Sequence, residues 1–309
     1  MNPLHMYCTL AVTFLLTGCN GPVPNEMTPP MDTLVSAGWL SQHYQDSDLV
    51  ILDATVMIER TDDGGMRTVN GRENFNKGHI PGARFADLMG ELVDSDSPLH
   101  YAVPEPGEFA AAMERLGVGD NSRVVIYDAN GSAWAARVWW MLRWIGFDNA
   151  ALLDGGLQAW TDAGQSLSTE SVAVVKGSLT VNLRPELIVA SDEVHAAIGD
   201  DSVTIIDSLP AAHYRGEFSM YERPGHIPGA SNVSVMSLTN DDGHFKTVDE
   251  LATLFDGDYE GRAITYCGGG IAASANAFTM IRLGYKDVAV YTASLQEWAA
   301  DPARPMETE

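Results

Sequence analysis

Cys267 stands where a cysteine could act as a nucleophile. It follows a mostly apolar run, 263–266, and precedes three glycines and a helical pattern that starts at Ala272. Glycines allow a tight turn with inward-facing backbone N–H groups, and the following helix N-terminus also favours negative charge. Because the thiolate is the reactive form of cysteine, this loop predicts an activated sulfur nucleophile. We expect a substrate anion to bind the same loop, at Gly268, Gly269, Gly270, Ile271 and Ala272.

The cysteine content gives no sign of a disulfide framework or a metal site. The three cysteines, Cys8, Cys19 and Cys267, are an odd and widely spaced set. No pair has the spacing of a zinc site, and the histidines are scattered, so we expect no metal and no cofactor. If export removes Cys8 and caps Cys19, the mature chain keeps Cys267 as a free thiol, which is either inert and buried or reactive.

The first residues resemble a bacterial lipoprotein signal, in which cleavage before a cysteine is coupled to lipid attachment. The apolar run 9–16 is too short to span a bilayer and leads through Leu-Thr-Gly to Cys19. We therefore expect a signal peptide over 1–18, a proline-rich tether over 19–33, and lipid anchoring to a bacterial membrane on its periplasmic side. No Lys or Arg precedes the apolar run. The alternatives are an ordinary secretory signal, giving a soluble periplasmic protein, or a misassigned start codon.

The composition indicates an acidic globular protein with two domains. The 309 residues exceed what one core usually holds, and 45% of them are hydrophobic. The formal net charge is -24, with 18 Lys and Arg against 42 Asp and Glu. Phosphate backbones and anionic membrane surfaces would repel this chain, which disfavours nucleic-acid binding. Any anionic substrate needs a local cation.

The chain contains an internal repeat with four landmarks in the same order. Each copy has an apolar run ending in Asp, a Gly-His-Ile-Pro-Gly-Ala segment, a second apolar run, and a closing segment with Gln and Trp. These landmarks lie at 49–53, 78–83, 124–128 and 152–160 in the first copy, and at 203–207, 225–230, 263–267 and 290–298 in the second. The repeat predicts two similar domains.

Both copies are typical of α/β domains, each with a mostly parallel sheet flanked by helices. The apolar runs lack polar alternation, as strands buried on both faces do. Helical patterns cover Ala133–Ile145 and Ala272–Leu283, the second ending at a capping glycine, Gly284. We place the first domain at 34–168, a linker at 169–187 and the second domain at 188–309. Ligands of open α/β sheets bind beyond the carboxyl ends of the strands, where the second copy has Cys267 and the first has Asp128.

These motifs together resemble the tandem-domain rhodanese family of thiosulfate and 3-mercaptopyruvate sulfurtransferases, over roughly 34–306. The matching segments are the two Gly-His-Ile-Pro-Gly-Ala turns, Ala136-Arg137-Val138-Trp139-Trp140, Asp154-Gly155-Gly156-Leu157 and the Cys267 loop. The resemblance implies an inactive first domain, with Asp128 in the cysteine position, and a catalytic second domain. It also implies ping-pong transfer, in which Cys267 takes sulfur from a small anionic donor as a persulfide and passes it to a thiol or to cyanide.

The resemblance bears on the choice of donor. Thiosulfate-specific relatives tend to carry cations in the catalytic loop, and this chain has none between Cys267 and Ala273. Mercaptopyruvate-type relatives have Cys-Gly-Ser/Thr-Gly, and here Gly269 occupies the hydroxyl position. Leu209 stands where relatives often have Arg. We therefore expect the donor to be mercaptopyruvate more than thiosulfate.

Two arginines are candidates for binding the donor's anionic group. Arg137 lies in an apolar segment and matches a family arginine that faces the second domain's site across the interface. Its planar fork suits carboxylate or sulfonate oxygens. Arg215 matches another family position. The structural alternative for each is an ordinary ion pair.

Other prominent residues are interpreted as structural. We expect His79 and His226 to pack and hydrogen-bond within their turns, and Asp53 and Asp207 to orient the loops after their strands. Large aromatic side chains usually serve the core, which is our expectation for Trp139, Trp140, Trp160 and Trp298.

Two other functions compete. Dual-specificity phosphatases of this fold require Cys-x5-Arg, but the Arg position here is Ala273. A non-catalytic sulfur-carrier or binding lipoprotein stays open, because the loop lacks a cation. It predicts that no Cys267 persulfide forms from either donor.

Overall fold

The structure of the protein is a computed structural model that describes residues 31–62, 65–255 and 258–308. The signal peptide, Cys8, the lipidation candidate Cys19 and most of the proline-rich tether lie outside these residues and remain predictions. Within the described part, no helix is both long and apolar enough to cross a bilayer.

The first domain is built on a five-stranded parallel sheet of order β1-β7-β6-β2-β5. A separate antiparallel hairpin, β3–β4, follows β2. The elements are β1 Leu34–Val35, α1 Ala37–His43, β2 Leu49–Asp53, β3 Val56–Arg60, β4 Met66–Asn70, α2 Arg72–Lys77, β5 Arg84–Phe85, α3 Pro106–Arg115, β6 Arg123–Tyr127, α4 Ala133–Trp144, β7 Ala150–Leu153 and α5 Gly156–Asp162.

The second domain repeats this sheet, with the parallel order β10-β9-β11-β12-β8. Its elements are β8 Ile188–Val189, α6 Ser191–Ala197, β9 Val203–Asp207, α7 Ala211–Tyr214, β10 Ser231–Asn232, α8 Val248–Ala252, β11 Arg262–Tyr266, α9 Ile271–Leu283, β12 Asp287–Tyr291 and α10 Ser294–Trp298, with 3₁₀ turns at Pro185–Leu187 and Val235–Ser237. The hairpin β3–β4 has no counterpart among the described residues of this domain. The predicted fold class is confirmed.

The sequence patterns located the central elements to within a residue or two. Strands β6 and β11 end at Tyr127 and Tyr266, so Asp128 and Cys267 belong to the loops beyond the sheet, as expected. Helix α9 begins at Ile271, one residue before its predicted start, and Gly284 caps it in the left-handed region with φ +102°. Residues 169–184, which belong to the predicted linker, contain no helix or strand.

The two Gly-His-Ile-Pro-Gly turns fasten the end of each domain. His79 Nδ1 lies 2.8 Å from the Phe75 carbonyl oxygen, and the backbone of His79 pairs with that of Ser168. His226 repeats the arrangement, with Nδ1 2.7 Å from the Tyr214 carbonyl oxygen and backbone pairing to Glu307. Both imidazoles are buried. This confirms the structural interpretation of the histidines.

Asp53 and Asp207 also have the expected structural positions at the ends of β2 and β9. Each buried carboxylate accepts a hydrogen bond from a backbone N–H two residues later, Thr55 at 2.9 Å and Leu209 at 2.7 Å. Burial raises the pKa of both carboxyl groups, that of Asp207 to about 6. The two loops are therefore turned by equivalent bonds.

Helices α4 and α9 join the domains through an apolar interface. Trp139 of α4 meets Phe278 of α9 nearly edge to face, with ring centres 4.9 Å apart. The core that surrounds them is continuous across both domains. The four tryptophans predicted to be core residues are all buried: Trp139, Trp140, Trp160 and Trp298. This packing fixes first-domain residues against the carboxyl edge of the second sheet.

Candidate active site

Cys267 lies immediately beyond β11, at the start of the glycine loop that leads into α9. The backbone N–H of Gly270 donates a hydrogen bond to its Sγ at 3.1 Å. Gly270 has φ +81°, and a Cβ there would lie 2.8 Å from the Thr292 carbonyl oxygen and 2.9 Å from Arg137 Nη1. Glycine is therefore required at this position both for its backbone conformation and for the close approach of its neighbours.

The backbone of Cys267 is held from the opposite side by the start of α10. Its N–H donates to Ser294 Oγ at 3.1 Å, and its carbonyl oxygen accepts from the N–H of Leu295 at 3.0 Å. Ser294 Oγ in turn donates to the Tyr291 carbonyl oxygen at 2.7 Å. Ser294 has φ +56°, which is unusual for a residue with a side chain. These bonds fix the cysteine before any substrate arrives.

The cradle around the sulfur is simpler than the sequence suggested. We expected several backbone amides to face Sγ, but within the described residues one N–H, that of Gly270, donates to it. Cys267 is only 3% exposed, so its sulfur lies beneath the surface. Gly268 and Gly269 instead form part of the wall of a neighbouring cavity.

That cavity, of about 530 Å³, lies between the two domains at the carboxyl edge of the second sheet. Hairpin strand β4 supplies Met66 and Thr68 from the first domain. The complete lining is Met66, Thr68, His100, Tyr101, Met220, Tyr221, Glu222, Gly268, Gly269, Gln296 and Ala300. The amide of Gln296 bridges the domains here, accepting from the His100 N–H and donating to the His100 carbonyl oxygen, each at 2.9 Å.

Arg137, on α4 of the first domain, reaches the catalytic loop as predicted. Its side chain is 1% exposed, and Nη2 donates to the Tyr101 carbonyl oxygen at 2.9 Å. Nη1 has no hydrogen-bond partner in the described part of the chain, although it lies beside Gly270. Burial lowers the pKa of Arg137 to about 10, an effect opposed by its attraction to the Cys267 sulfur. At neutral pH the site therefore contains a buried cation with unused hydrogen-bonding capacity.

The remaining predicted site residues lie farther from the cavity. Ile271 and Ala272 form the first turn of α9 and are half-buried. Arg215 is half-buried and donates through Nε to Glu217 Oε1 at 2.7 Å. None of these three lines the cavity beside Cys267. Their substrate-binding role stays a prediction, and for Arg215 the geometry matches the ion-pair alternative.

Sequence reasoning missed several residues of this site. Tyr221 presses its hydroxyl against Gly268, where an added Cβ would lie 1.7 Å from the phenol oxygen. Tyr101 and His100 come from an irregular segment of the first domain, and Gln296 from the closing landmark of the repeat. No periodicity or motif in the sequence distinguishes Tyr221, Tyr101 or His100. Gln296 could have been suspected, because it belongs to the closing landmark of the repeat, where the first copy also has a glutamine, Gln158.

The equivalent loop of the first domain contains its own anion. The buried Asp128 carboxylate accepts from the backbone N–H groups of Asn130 at 2.7 Å, Ser132 at 3.0 Å and Ala135 at 2.9 Å. The Leu157 N–H bonds to the Asp128 carbonyl oxygen, as that of Leu295 does to Cys267. Burial raises the pKa of Asp128 against the effect of these donors. A carboxylate thus occupies the place that the sulfur has in the second domain.

Comparison with known proteins agrees with this geometry. The family model for the rhodanese-like domain matches residues 36–163 and 190–301. The 3-mercaptopyruvate sulfurtransferase of Escherichia coli K12 is 34% identical over 279 residues, covering 88% of this chain and 97% of the relative. The thiosulfate sulfurtransferase of Gallus gallus is 30% identical over 275 residues, covering 86% and 92% respectively.

A solved structure agrees with the fold. The crystal structure of SseA from Escherichia coli, described as a 3-mercaptopyruvate sulfotransferase, superposes with a TM-score of 0.75 at 34% identity, over 85% of this chain and 98% of that one.

The fold and the site define the class as a tandem α/β protein with a cysteine in the strand-to-helix loop of its second domain. The chain belongs to the rhodanese-like family, with one family domain in each half. It is a sulfurtransferase, and the enzyme function is supported over that of a non-catalytic binding protein.

Proposed function

We propose that this sulfurtransferase takes sulfur from 3-mercaptopyruvate in preference to thiosulfate and carries it as a persulfide on Cys267. The observation that carries the proposal is the hydrogen bond from the Gly270 N–H to Cys267 Sγ, together with the buried guanidinium of Arg137, which lies against Gly270 and interacts electrostatically with the sulfur. An amide donor and a cation both stabilise a sulfur anion, which is required before and after transfer.

The first half-reaction balances without a cofactor. The Cys267 thiolate attacks the thiol sulfur of 3-mercaptopyruvate, an S–S bond forms and the C–S bond breaks. The electron pair of that bond goes to the departing carbon, which takes the thiol proton and leaves as pyruvate. The products are pyruvate and the Cys267 persulfide anion.

The second half-reaction regenerates the enzyme. An acceptor thiolate attacks the outer sulfur, the S–S bond to Cys267 breaks, and its electron pair returns to the Cys267 sulfur. The acceptor leaves with one additional sulfur. With cyanide as the acceptor, the corresponding product is thiocyanate.

Arg137 is assigned to the donor's carboxylate. Its Nη1 is unpartnered among the described residues, while Nη2 is anchored by Tyr101. A buried cation with a free N–H gains a hydrogen bond and neutralises its charge when a carboxylate arrives. Truncation of this side chain should therefore weaken donor binding.

The charge of the site supports a monoanion over a dianion. Among the described residues that line the 530 Å³ cavity there is no Lys or Arg, and Glu222 is one of them. The loop adds no cation, and Leu209 stands where relatives often have Arg. Arg137 alone balances one carboxylate more completely than the two charges of thiosulfate.

The test compares sulfur transfer from both donors to cyanide and to a thiol, using wild type and Cys267→Ser. We expect a higher kcat/KM with mercaptopyruvate than with thiosulfate, and no turnover by the serine variant, since its hydroxyl cannot form a persulfide. Mass spectrometry of the protein treated with donor alone should show one added sulfur, in a peptide containing Cys267. Equal or greater efficiency with thiosulfate would contradict the donor assignment.

The N-terminal segment is proposed to export the chain and anchor it by lipid at Cys19, facing the periplasm. The support is the sequence: the apolar run 9–16 and the residues Leu16-Thr17-Gly18 before the cysteine. Metabolic labelling of cells with a tagged fatty acid should label wild type and Cys8→Ala, but not Cys19→Ala. Labelling that survives Cys19→Ala would overturn the proposal, and an unlabelled wild type in the soluble periplasmic fraction would favour a secretory signal.

A further inference from the structure

We propose that the hydroxyl of Tyr221 donates a hydrogen bond to the outer sulfur of the Cys267 persulfide and that this bond speeds transfer to the acceptor. The inference rests on the persulfide mechanism proposed above. It does not depend on which donor forms the persulfide. It assigns a catalytic residue outside every motif on which the family resemblance rests.

The position of the phenol carries the proposal. Its oxygen lies 1.7 Å from the point that a Gly268 Cβ would occupy, so it touches the residue next to the nucleophile. Tyr221 lines the cavity together with Gly268 and Gly269. A sulfur atom added to Cys267 must extend out of the buried loop, and this cavity borders the loop directly.

The hydroxyl is available and protonated. Among the described residues it makes no hydrogen bond, although the backbone of the same residue is bonded. Burial raises the pKa of Tyr221, and the negative charges at Cys267 and Asp207 raise it further. The group therefore keeps its proton across the neutral range and acts as a donor rather than a base.

The loop holds the phenol in place. The N–H of Tyr221 donates to Ser219 Oγ at 3.0 Å, and that hydroxyl donates to the Tyr221 carbonyl oxygen at 3.1 Å. Two residues later, Arg223 donates to four carbonyl oxygens of the C-terminal segment, those of Trp298, Ala299, Asp301 and Arg304, at 2.6 to 2.8 Å. A donor held this firmly loses little entropy when the persulfide forms.

The inner and outer sulfur atoms of the Cys267 persulfide have different roles in the second half-reaction. The Gly270 N–H serves the inner sulfur, which becomes the leaving thiolate when the acceptor attacks. The outer sulfur carries the persulfide charge, which repels an incoming thiolate. A hydrogen bond from Tyr221 reduces that charge at the atom under attack, so the benefit falls on the second half-reaction.

The experiment measures the half-reactions separately with Tyr221→Phe, which retains the ring. Cys267 is loaded with inorganic polysulfide, in which the thiolate takes one sulfur and a polysulfide shorter by one sulfur leaves. This loading does not depend on the donor assignment. Discharge to a thiol is then followed by rapid quench and mass spectrometry. A bond to a charged group lost in this step should slow discharge about 10- to 100-fold. Loading should change less than about threefold, because it starts from the free thiolate, which carries no outer sulfur for the hydroxyl to bind.

Two further variants make the result decisive. Tyr259→Phe alters an exposed tyrosine beyond the cavity and should discharge at the wild-type rate. Gly268→Ala places a methyl group against the phenol and should slow discharge, and the combination with Tyr221→Phe should add little. Unchanged discharge in Tyr221→Phe would overturn the proposal. An equal loss in both half-reactions would do the same, because it would indicate a structural role.

If wild type gains no sulfur from mercaptopyruvate or thiosulfate but loads from polysulfide, the proposed function fails while the Tyr221 result still stands.

Discussion

The guanidinium of Arg137 and the backbone of Gly270 touch across the domain interface, with Nη1 2.9 Å from the position of an absent Gly270 Cβ. The arginine belongs to the first domain and the glycine to the loop that bonds the Cys267 sulfur in the second. One close contact therefore makes the active site a joint product of both domains. It also explains why neither half of the repeat contains a complete site.

Arg137→Lys tests the need for a planar guanidinium group at this contact. A lysine keeps the charge but cannot bond Tyr101 and a donor carboxylate together in the same plane, so KM for the donor should rise. We expect kcat/KM for mercaptopyruvate to fall about 10- to 100-fold, the range for a lost bond between charged groups. Steady-state kinetics over a range of donor concentrations measures it.

The matched control is Arg143→Lys on the same helix, where Arg143 pairs with Asp148 at 2.9 Å near the surface. It should change donor kinetics less than about twofold, as surface ion pairs contribute little. An unchanged donor KM in Arg137→Lys would refute the assigned role.

Gly270→Ala should disable the catalytic loop. An alanine at φ +81° is strained by about 1–2 kcal/mol and also collides with Thr292 and Arg137. The shift must disturb the N–H···S bond, and we expect turnover to fall at least about tenfold. Thermal unfolding and kcat should be measured together.

Gly284→Ala provides the comparison for Gly270→Ala, because it imposes left-handed strain at φ +102° with its nearest neighbour 4.0 Å away. It should lower the melting temperature and leave kcat intact. If both variants keep wild-type turnover, the close approach at Gly270 is not needed for catalysis.

Gly269→Ser supplies the hydroxyl of mercaptopyruvate-type loops. A Cβ at this position lies 3.1 Å from Gln296 Nε2 and 3.4 Å from the His100 carbonyl oxygen, so a small side chain fits with slight adjustment. One new neutral hydrogen bond should raise kcat with mercaptopyruvate about 2- to 10-fold. Gly269→Ala is the control without the hydroxyl. No gain of serine over alanine would indicate that this site operates without that group.

Asp207→Asn tests how much folding stability is lost when the buried Asp207 carboxyl group ionises. Its pKa is raised by burial from 3.8 to about 6, so the unfolded chain ionises first as pH rises. The folded state therefore loses stability between about pH 4 and 6, by up to roughly 3 kcal/mol, and keeps that loss above pH 6. The asparagine variant lacks this loss, so its stability relative to wild type should increase between pH 4 and pH 7.

Urea unfolding at pH 4, 5, 6 and 7 measures the difference between Asp207→Asn and wild type. Exposed Asp201→Asn should run parallel to wild type over the same range. If the difference in unfolding free energy between Asp207→Asn and wild type did not change with pH, the Asp207 carboxyl group would have the same pKa in the folded and unfolded chains.

The sequence was informative wherever a local rule applied. Uninterrupted apolar runs located the parallel strands, glycine after a helical pattern located the end of α9, and a cysteine before three glycines located the candidate nucleophile. Arg137 could be predicted because an arginine is rarely buried in so apolar a segment unless it pairs with another group. These signals are contained within a few consecutive residues.

Tyr221, His100 and Tyr101 could not be predicted in the same way. Their places depend on irregular segments whose paths are set by distant contacts, such as the bonds of Arg223 to the C-terminal segment. The single N–H donor to Sγ has a related cause. Loop residues Gly268 and Gly269 border the cavity, and glycine content alone does not fix where each amide points.

The first-domain loop keeps the same turn although Asp128 occupies the position of the cysteine. Three N–H groups converge on a carboxylate that is covalently part of the chain, so no diffusing anion is needed to complete the turn. A carboxylate cannot accept a sulfur atom or be oxidised as a thiol can. The first-domain loop therefore has no thiol that oxidation could consume at this position, while its domain still presents Arg137 to the Cys267 loop.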